Sequence, residues 1–309
     1  FFPAVLILVF ALGCNPGKPA PATNPTQGSD GVPTAQIDLV QRQRPAPLPE
    51  NVVQKWVTAQ AVAGWMWVDN TGFEAADFRV ESDEQPGKWP AFGFCREQLT
   101  GLEKLPDPGV EFGLYIEDSE VADLQMLRLA KFTNLRLLEL SGTKVTDFGM
   151  KQVGTITALR ALGLHETEMT DAGLRELRPL VNLEALHLGE TGVTNSGLAS
   201  LLDLKALRSL NLAYAANVGD AGLKSVGKID RLETLVLWGT GVTDAGLKEL
   251  AGLQKLTALD LRDTAVTDDG LVELAKLKNL RLLELKHSKV TDAGCANFKR
   301  ELPRCIVLW

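Results

Sequence analysis

Basic residues are sparse and scattered in this sequence. Its 309 residues include 32 Lys and Arg against 39 Asp and Glu, so the formal net charge is −7. No run of lysine or arginine occurs, whereas nucleic-acid-binding domains carry a basic face or stripe. The sequence therefore argues against nucleic acid as a partner.

Short motifs of common enzyme classes are missing as well. The sequence has no Ser/His/Asp set, no glycine-rich loop that could cradle a phosphate and no Cys/His spacing typical of zinc. It contains three histidines and four cysteines in all. These absences favour a protein that is not an enzyme and uses no cofactor or metal. A hydrolase or metal enzyme is the least favoured alternative.

The longest apolar run, FFPAVLILVFALG at residues 1–13, is too short to span a bilayer and ends in small residues before Cys14. Such a run is typical of the apolar part of a signal peptide. Because no charged segment precedes it, we expect residues 1–13 to be a signal peptide that is incomplete at its N-terminus. The sequence ALGC also resembles a bacterial lipobox, although Ala11 stands where that motif prefers Leu. This resemblance implies a lipid on Cys14 and a membrane-anchored protein. A plain secretory signal and an uncleaved anchor are the alternatives.

Residues 14–49 follow as a segment rich in Pro, Ala, Thr, Gln and Gly and poor in aromatic residues. Such a composition buries too little apolar surface to offset the entropy of ordering. We therefore expect a disordered tether between the lipidated Cys14 and a folded domain. A linker between two domains is the alternative.

One sequence motif recurs along the rest of the chain, as in TEMTDAGLREL, TGVTDAGLKEL and TAVTDDGLVEL at residues 167–177, 240–250 and 264–274. Aligned on the residue before TD, its registers are Val121, Val145, Met169, Val193, Val218, Val242, Val266 and Val290. The step is 24 residues each time except for one of 25, and a Leu-x-x-Leu-x-Leu run precedes every register except the first, where Leu114 and Ile116 hold two of the three positions. The pattern resembles the leucine-rich repeat, in the variant with Thr for the usual Asn, over residues 111–309. Repeats of this kind are common in bacterial surface and secreted proteins and in eukaryotic F-box receptors.

The resemblance implies an α/β fold, a right-handed solenoid or horseshoe with a parallel β-sheet on the concave face and helices on the convex face. Alternating residues such as Leu235 and Leu237 predict a short strand with an apolar inner face. Asp244 is expected to cap the following helix. The hydroxyl of Thr240 and its equivalents is expected to bond backbone groups of neighbouring turns. One such repeat cannot fold alone, so stacking must stabilise it.

Both ends of the solenoid need a cap. We interpret residues 50–110 as an N-terminal cap with a degenerate first repeat, in which Trp56, Trp65 and Trp67 are core residues. The predicted apolar positions of that degenerate repeat are Phe92, Phe94, Leu99, Leu102 and Leu105. A separate small ligand-binding domain is the alternative. At the other end, Val307 and Trp309 are expected to occupy strand positions. Cys295 and Cys305 either form a disulfide or remain as two buried thiols.

Function is sought on the outward side of the strands, because the other positions are committed to the core. The candidate partner-binding residues on this concave face are Tyr115, Glu139, His165, His187, Asn211, Tyr214, Trp238, Asp260, Arg262 and Glu284. Small residues are expected to leave a hollow between the larger ones; they are Ala161, Gly163, Ala185, Gly189, Ser209 and Ala213. The extra residue of the 25-residue step lies in AYAAN, 213–217, and is expected to raise Tyr214 over this hollow, with Asn217 replacing the missing Thr hydroxyl. A neutral insertion is the alternative.

Catalysis is not favoured on this face. Cys95 and His165 would lie on strands three apart, roughly 14 Å at normal sheet spacing, too far for a dyad. His165 and His187 would be about 7 Å apart as diagonal neighbours and could hold a metal together with Glu139, but ordinary binding residues are the favoured interpretation. We therefore expect a non-enzymatic, monomeric recognition module at the cell envelope that binds a protein or glycan. An intracellular adaptor for ubiquitination, of the F-box receptor kind, is the alternative.

Overall fold

The structure is a computed structural model that describes residues 46–59, 61–67, 77–79, 89–94, 104–116 and 120–309. The predicted signal peptide, Cys14 and most of the predicted tether lie outside these residues, as do Cys95, Leu99 and Leu102. The α-helices are α1 Glu50–Thr58, α2 Asp123–Leu129, α3 Asp147–Val153, α4 Asp171–Glu176, α5 Asp220–Val226, α6 Asp244–Leu250, α7 Asp268–Leu274 and α8 Asp292–Glu301. A 3-10 helix, Gly197–Asp203, replaces the α-helix of one repeat.

The strands are β1 Val62–Trp67, β2 Asp77–Arg79, β3 Trp89–Phe94, β4 Phe112–Ile116, β5 Leu135–Glu139, β6 Ala161–Gly163, β7 Ala185–His187, β8 Ser209–Asn211, β9 Thr234–Val236, β10 Ala258–Asp260, β11 Leu282–Glu284 and β12 Ile306–Leu308. They form one sheet in the order β12 to β3, then β1 and β2. Neighbours from β3 to β12 are parallel, whereas β1 pairs antiparallel with β2 and β3. The predicted solenoid is therefore confirmed: the parallel sheet lines its concave face and the helices lie on its convex face.

Each repeat buries its leucines between sheet and helices. In the repeat of β9, Leu235, Leu237 and Val242 are fully buried, and so are Leu247 and Leu250 of α6. Equivalent residues of successive strands lie side by side, as Leu235 pairs with Leu259. A continuous leucine core therefore runs through the stacked turns, in agreement with the alternation in the sequence.

The recurring TD pair has two roles, and the expected role of its aspartate is wrong. Thr243 is the N-cap of α6, because its hydroxyl accepts a hydrogen bond from the backbone N–H of Ala245. Asp244 instead reaches the next repeat, where it accepts from the backbone N–H of Thr267 at 2.8 Å and from its hydroxyl at 2.7 Å. Asp123, Asp147, Asp171, Asp220 and Asp268 bond the threonines of their following repeats in the same way. We call this series the Asp–Thr ladder.

Thr240 and its equivalents, which we call the inner threonines, were expected to bond neighbouring turns, and this expectation is wrong. Thr240 donates its hydroxyl proton to the carbonyl of Leu237 at 2.6 Å, within its own turn. Thr143, Thr167, Thr191 and Thr264 do the same at equivalent positions. These buried hydroxyls therefore satisfy a carbonyl of the turn that follows each strand and do not join neighbouring repeats.

The N-terminal cap is built around Trp56, which is fully buried and stacks on Phe92 with ring centroids 4.2 Å apart. Its indole N–H donates to the carbonyl of Pro106 at 3.1 Å. The predicted core role of Trp56, Phe92, Phe94 and Leu105 is confirmed. Trp65 is only half-buried, since it lies on a strand near the end of the sheet. The side chain of Trp67 is not among those that the structure describes.

At the C-terminal end, β12 pairs with β11 and buries Val307, as expected. Trp309 lies beyond the strand and is 48% exposed, contrary to the expectation. Its indole N–H donates to Asp292 at 2.8 Å, and Lys299 lies over the ring. Cys295 and Cys305 are two buried free thiols. Burial raises the pKa of Cys305 to about 12.

Candidate recognition surface on the concave sheet

The central row of the concave face is less accessible than its sequence suggests. Glu139, His187, Asn211 and Asp260 are all buried, and Tyr115 and Glu284 are half-buried. Strands in a sheet lie only about 4.8 Å apart, so long side chains on neighbouring strands cover one another. The expectation that these four residues are exposed is therefore wrong.

The predicted hollow is filled by neighbouring side chains. A Cβ atom added to Gly163 would lie 2.0 Å from a carboxylate oxygen of Glu139, on the preceding strand. A Cβ atom on Gly189 would lie 2.7 Å from Nδ1 of His165. The small residues therefore provide room for Glu139 and His165 to lie flat on the sheet, and the expected hollow is not open.

The histidines of this region differ in accessibility. His187 is buried, and burial, together with the nearby His165, lowers its pKa to about 4. His165 is partly exposed, with Nε2 3.6 Å from a carboxylate oxygen of Glu190. Within the described ranges, no three His, Cys, Asp or Glu side chains are grouped closely enough to hold a metal ion. Glu139, His165 and His187 therefore do not form the metal site considered from the sequence.

A row of left-handed residues follows the strands, and we call it the rim row. Its members are Gly142, Glu166, Glu190, Tyr214, Gly239, Asp263 and His287, all with φ between +51° and +67°. Non-glycine residues are uncommon in this conformation. Each of the first six N–H groups donates to a carbonyl of the next repeat, as Tyr214 does to Trp238 at 2.7 Å.

Tyr214 therefore occupies a regular position of the repeat, and the insertion does not raise it. The extra residue comes later, within 215–217, where buried Ala215 takes the place of the inner Thr. Asn217 does not replace the missing hydroxyl, because it is exposed and its backbone carbonyl accepts from the N–H of Asn195. The predicted bulge under Tyr214 is wrong.

Tyr214, Trp238 and Arg262 form a stack, which we call the aromatic cluster. The ring centroids of Tyr214 and Trp238 are 4.6 Å apart, and the Arg262 guanidinium lies 4.2 Å from the centroid of the Trp238 ring. Tyr214 is 41% exposed. A Cβ atom on Gly239 would lie 2.6 Å from the Tyr214 ring, so only glycine leaves room for the tyrosine.

Carboxylates hold the aromatic cluster in place. Asp260, fully buried beneath it, accepts hydrogen bonds from the Arg262 side chain at 2.5–3.0 Å. Asp263 accepts from the Trp238 indole N–H at 2.5 Å and lies 3.1 Å from Nδ1 of His287. Burial and the charge of Asp263 raise the pKa of Tyr214, so its phenol stays neutral near pH 7. The cluster is therefore an aromatic and cationic surface whose Trp and Arg side chains are each hydrogen-bonded to a carboxylate.

The structure thus brings together four of the predicted residues, Tyr214, Trp238, Asp260 and Arg262. The sequence places His287 one residue beyond the concave rows, whereas Asp263 and Glu190 of the rim row were not predicted. The repeat spacing alone could have revealed the rim row as an equivalent position in each repeat. Its left-handed backbone, which turns those side chains to the rim, cannot be predicted from the alternation of apolar and polar residues.

The comparisons with known proteins agree with this architecture. A family model described as a leucine-rich repeat region matches residues 118–304. The chain belongs to the leucine-rich repeat family. Domains of this family are typically binding scaffolds that interact with proteins, and they are typically not enzymes. A comparison with curated proteins finds no match.

Two solved structures similar to this repeat protein are internalins of Listeria monocytogenes. The internalin inlF has a TM-score of 0.55 and 21% identity, over 69% of this chain and 57% of its own. The internalin inlC2 has a TM-score of 0.51 and 23% identity, over 79% of this chain and 99% of its own. The chain thus spans little more than half the length of inlF. At identities below 25%, these structural similarities show the fold alone. Over the described part of the chain, none of the helices has the length and apolar character needed to cross a membrane.

Proposed function

We propose that this protein is a monomeric recognition module, tethered at the cell envelope, that binds a protein or glycan partner through its concave face. The observation that carries the proposal is the aromatic cluster. Interface residues that contribute most binding energy are enriched in Trp, Tyr and Arg. Here one of each is stacked just beyond the C-terminal ends of β8, β9 and β10.

The fixed geometry of the aromatic cluster supports the same role. Arg262 is bound by Asp260, and Trp238 by Asp263, so these side chains have lost most of their conformational freedom before a partner arrives. Binding to ordered side chains avoids part of the entropy that association otherwise costs. A flat aromatic ring beside a cation suits both protein side chains and the apolar face of a sugar.

The proposal of a membrane tether is based on the sequence of residues 1–49. An apolar run, a cysteine in a lipobox-like context and a Pro-rich segment would hold the repeat domain away from a membrane surface. Mass spectrometry of the mature protein should find a diacylated N-terminal Cys14. An unmodified N-terminal segment on a cytosolic protein would contradict the tether and favour the intracellular adaptor.

Partner binding can be tested with matched aromatic substitutions. Trp238→Ala and Tyr214→Ala should each weaken binding of envelope components by at least about fivefold, the effect of 1 kcal/mol. Phe148→Ala is the control, since Phe148 is an aromatic residue 84% exposed on convex helix α3. Immobilised wild type and variants would be compared quantitatively for retained proteins and glycans. Loss with Phe148→Ala alone would contradict the proposal.

A further inference from the structure

The surroundings of the aromatic cluster narrow the kind of partner that it fits. Trp238 is half-buried, because its ring packs against Tyr214 and the Arg262 guanidinium. Tyr214 is exposed, and its ring lies over Gly239, the next member of the rim row. The most accessible aromatic surface is therefore the Tyr214 ring, and the charges around this ring decide what binds there.

Carboxylates lie on both sides of the Tyr214 ring along the rim row. Glu190 precedes Tyr214 in the row, and Asp263 follows after Gly239. Burial raises the pKa of Tyr214, and the charges of Asp263 and Glu190 raise it further, so both carboxylates act on the phenol. The side chains of Asp263 and Glu190 are 42% and 46% exposed. Two accessible negative charges thus flank an exposed aromatic ring.

The positive charges next to the aromatic cluster are matched by other carboxylates. The Arg262 guanidinium is hydrogen-bonded to the fully buried Asp260. The charge of the exposed Lys286 acts on Glu284, which is half-buried in the central row. These two cations and two carboxylates balance one another, so they do not offset the charge of the rim row.

Two histidines lie beside the rim carboxylates. Nδ1 of His287 is 3.1 Å from Asp263, and Nε2 of His165 is 3.6 Å from Glu190. An imidazole is positively charged only while it is protonated, unlike the side chain of lysine or arginine. The rim row itself contains no lysine or arginine, and Glu166 adds a third exposed carboxylate. The rim around the aromatic cluster therefore carries an excess of negative charge.

We infer that the aromatic cluster binds a cationic side chain, a lysine or arginine in a basic segment of a protein partner. This inference rests on the proposed function and narrows its partner from a protein or glycan to a protein. A cation within about 6 Å of a tyrosine ring is attracted to the face of the ring. The carboxylates of Glu190 and Asp263 add charge complementarity, which favours cationic partners and rejects anionic ones. The net charge of −7 extends the same preference over the rest of the molecule.

NMR titration with small probes tests the class of ligand. The cationic probes are acetyl-Gly-Lys-Gly-Lys-Gly-amide and its arginine counterpart, and the neutral probes carry acetyl-lysine or citrulline instead. Chitobiose, a neutral disaccharide, represents a glycan. The indole N–H resonance of Trp238 is the readout, since this group donates to Asp263 within the cluster. The cationic peptides should shift it saturably and bind at least about fivefold more tightly than the neutral peptides and chitobiose.

Substitutions that remove one charge at a time locate the site. Asp263→Asn and Glu190→Gln should each weaken binding of the cationic peptides about two- to fivefold, the usual effect of one exposed charge. Asn at position 263 keeps an oxygen that can accept from the Trp238 indole, so this variant tests charge rather than packing. Asp269→Asn is the matched control, because Asp269 is exposed on convex helix α7, and it should leave affinity unchanged.

Several results would overturn the inference: no saturable binding of either cationic peptide, equal affinity for the neutral peptides, tighter binding of chitobiose, or an equal loss with Asp269→Asn. Retention of envelope components separates such a result from failure of the proposed function. If retention still falls with Tyr214→Ala, the concave site stands and only its cationic ligand is wrong. Retention unaffected by both Tyr214→Ala and Trp238→Ala would contradict the proposed function itself.

Discussion

His187 shows how the environment on the concave sheet changes the chemistry of a residue. Its side chain is buried, and no hydrogen-bond partner reaches Nε2 among the described residues. Burial first, and then the positive charge that His165 can carry, lowers its pKa from the ordinary 6.5 to about 4. The ring is therefore held neutral near pH 7, and it supports the sheet rather than offering an exposed contact.

A pH dependence of stability follows for His187. The unfolded histidine takes up a proton as pH falls below 6.5, whereas the folded one does so only near 4. The stability is thus complete above pH 6.5 and is lost as pH falls toward 4. Between pH 7.5 and 4.5, His187 should lower the free energy of unfolding by about 2–3 kcal/mol. Urea unfolding of wild type and His187→Gln at both pH values measures the difference.

The control for that experiment is His287→Gln. The His287 side chain is 76% exposed at the rim, so its removal should leave the pH dependence of wild type intact. If His187→Gln showed the same pH dependence as wild type, His187 would not be the buried group described here.

Residue positions could be predicted better than residue environments. The alternation of each strand correctly assigned Leu235 and Leu237 to the core and His187 to the concave side. It could not give the exposure of His187 or Glu139, because that depends on which side chain of the next strand is small enough to be covered. Glu139 lies over Gly163 for this reason.

The recurring motif TDxG is explained by contacts between the helices of neighbouring repeats. The Asp of one repeat bonds the Thr of the next, and the Gly two residues after the next Asp leaves room for that carboxylate. A Cβ atom on Gly246 would lie 2.4 Å from Asp220. Thr, Asp and Gly therefore act together to join neighbouring helices at their N-termini.

The Asp–Thr ladder is altered at one place, and both partners differ there together. Asn195 replaces the Asp and Gly219 replaces the Thr, so a single bond remains, from the Gly219 N–H to Asn195 at 2.9 Å. The repeat of Asn195 also carries the 3-10 helix, and the inserted residue lies within 215–217 of the following repeat. The sequence showed the insertion, but its link to the ladder depends on a contact between repeats.

Two glycines of one repeat provide a matched test of the ladder. Gly246→Ala should destabilise the protein by about 1–3 kcal/mol, because its Cβ meets the Asp220 carboxylate. Gly252→Ala should change stability by less than about 0.5 kcal/mol, because no atom lies within 4 Å of the added Cβ. Denaturant unfolding of both variants gives the comparison.

A second substitution identifies the cause. Asp220→Ala in the Gly246→Ala background removes the clashing carboxylate, so the double variant should lose less stability than the sum of the two single losses. Strict additivity, or equal effects of the two glycine substitutions, would show that the Asp220 carboxylate is not the reason that position 246 requires glycine.

Over the whole molecule, stability is distributed along the stack, because each repeat packs mainly on its two neighbours. The eight registers read from the sequence predicted this architecture, since the same spacing recurs with one exception. The position of Trp309 was less predictable: it lies beyond β12, stays partly exposed and packs against α8, where it contacts Asp292 and Lys299.

A core substitution should therefore act locally. Leu237 is fully buried, and Leu237→Ala should cost about 2–5 kcal/mol. Hydrogen exchange should show that protection falls first in the repeats of β8, β9 and β10. Leu124→Ala, at a leucine 63% exposed on helix α2, should leave protection unchanged. Equal loss of protection in every repeat after Leu237→Ala would mean that the solenoid opens as one unit.

Site-specific photocrosslinking tests most directly whether a partner binds at the aromatic cluster on the concave face. Benzoylphenylalanine would replace Tyr214 in one protein and the convex, 84% exposed Phe148 in another, each expressed in the native cell. We expect a discrete crosslinked species from position 214 that disappears when Trp238→Ala is added, and none from position 148. Crosslinks from position 148 alone would contradict it.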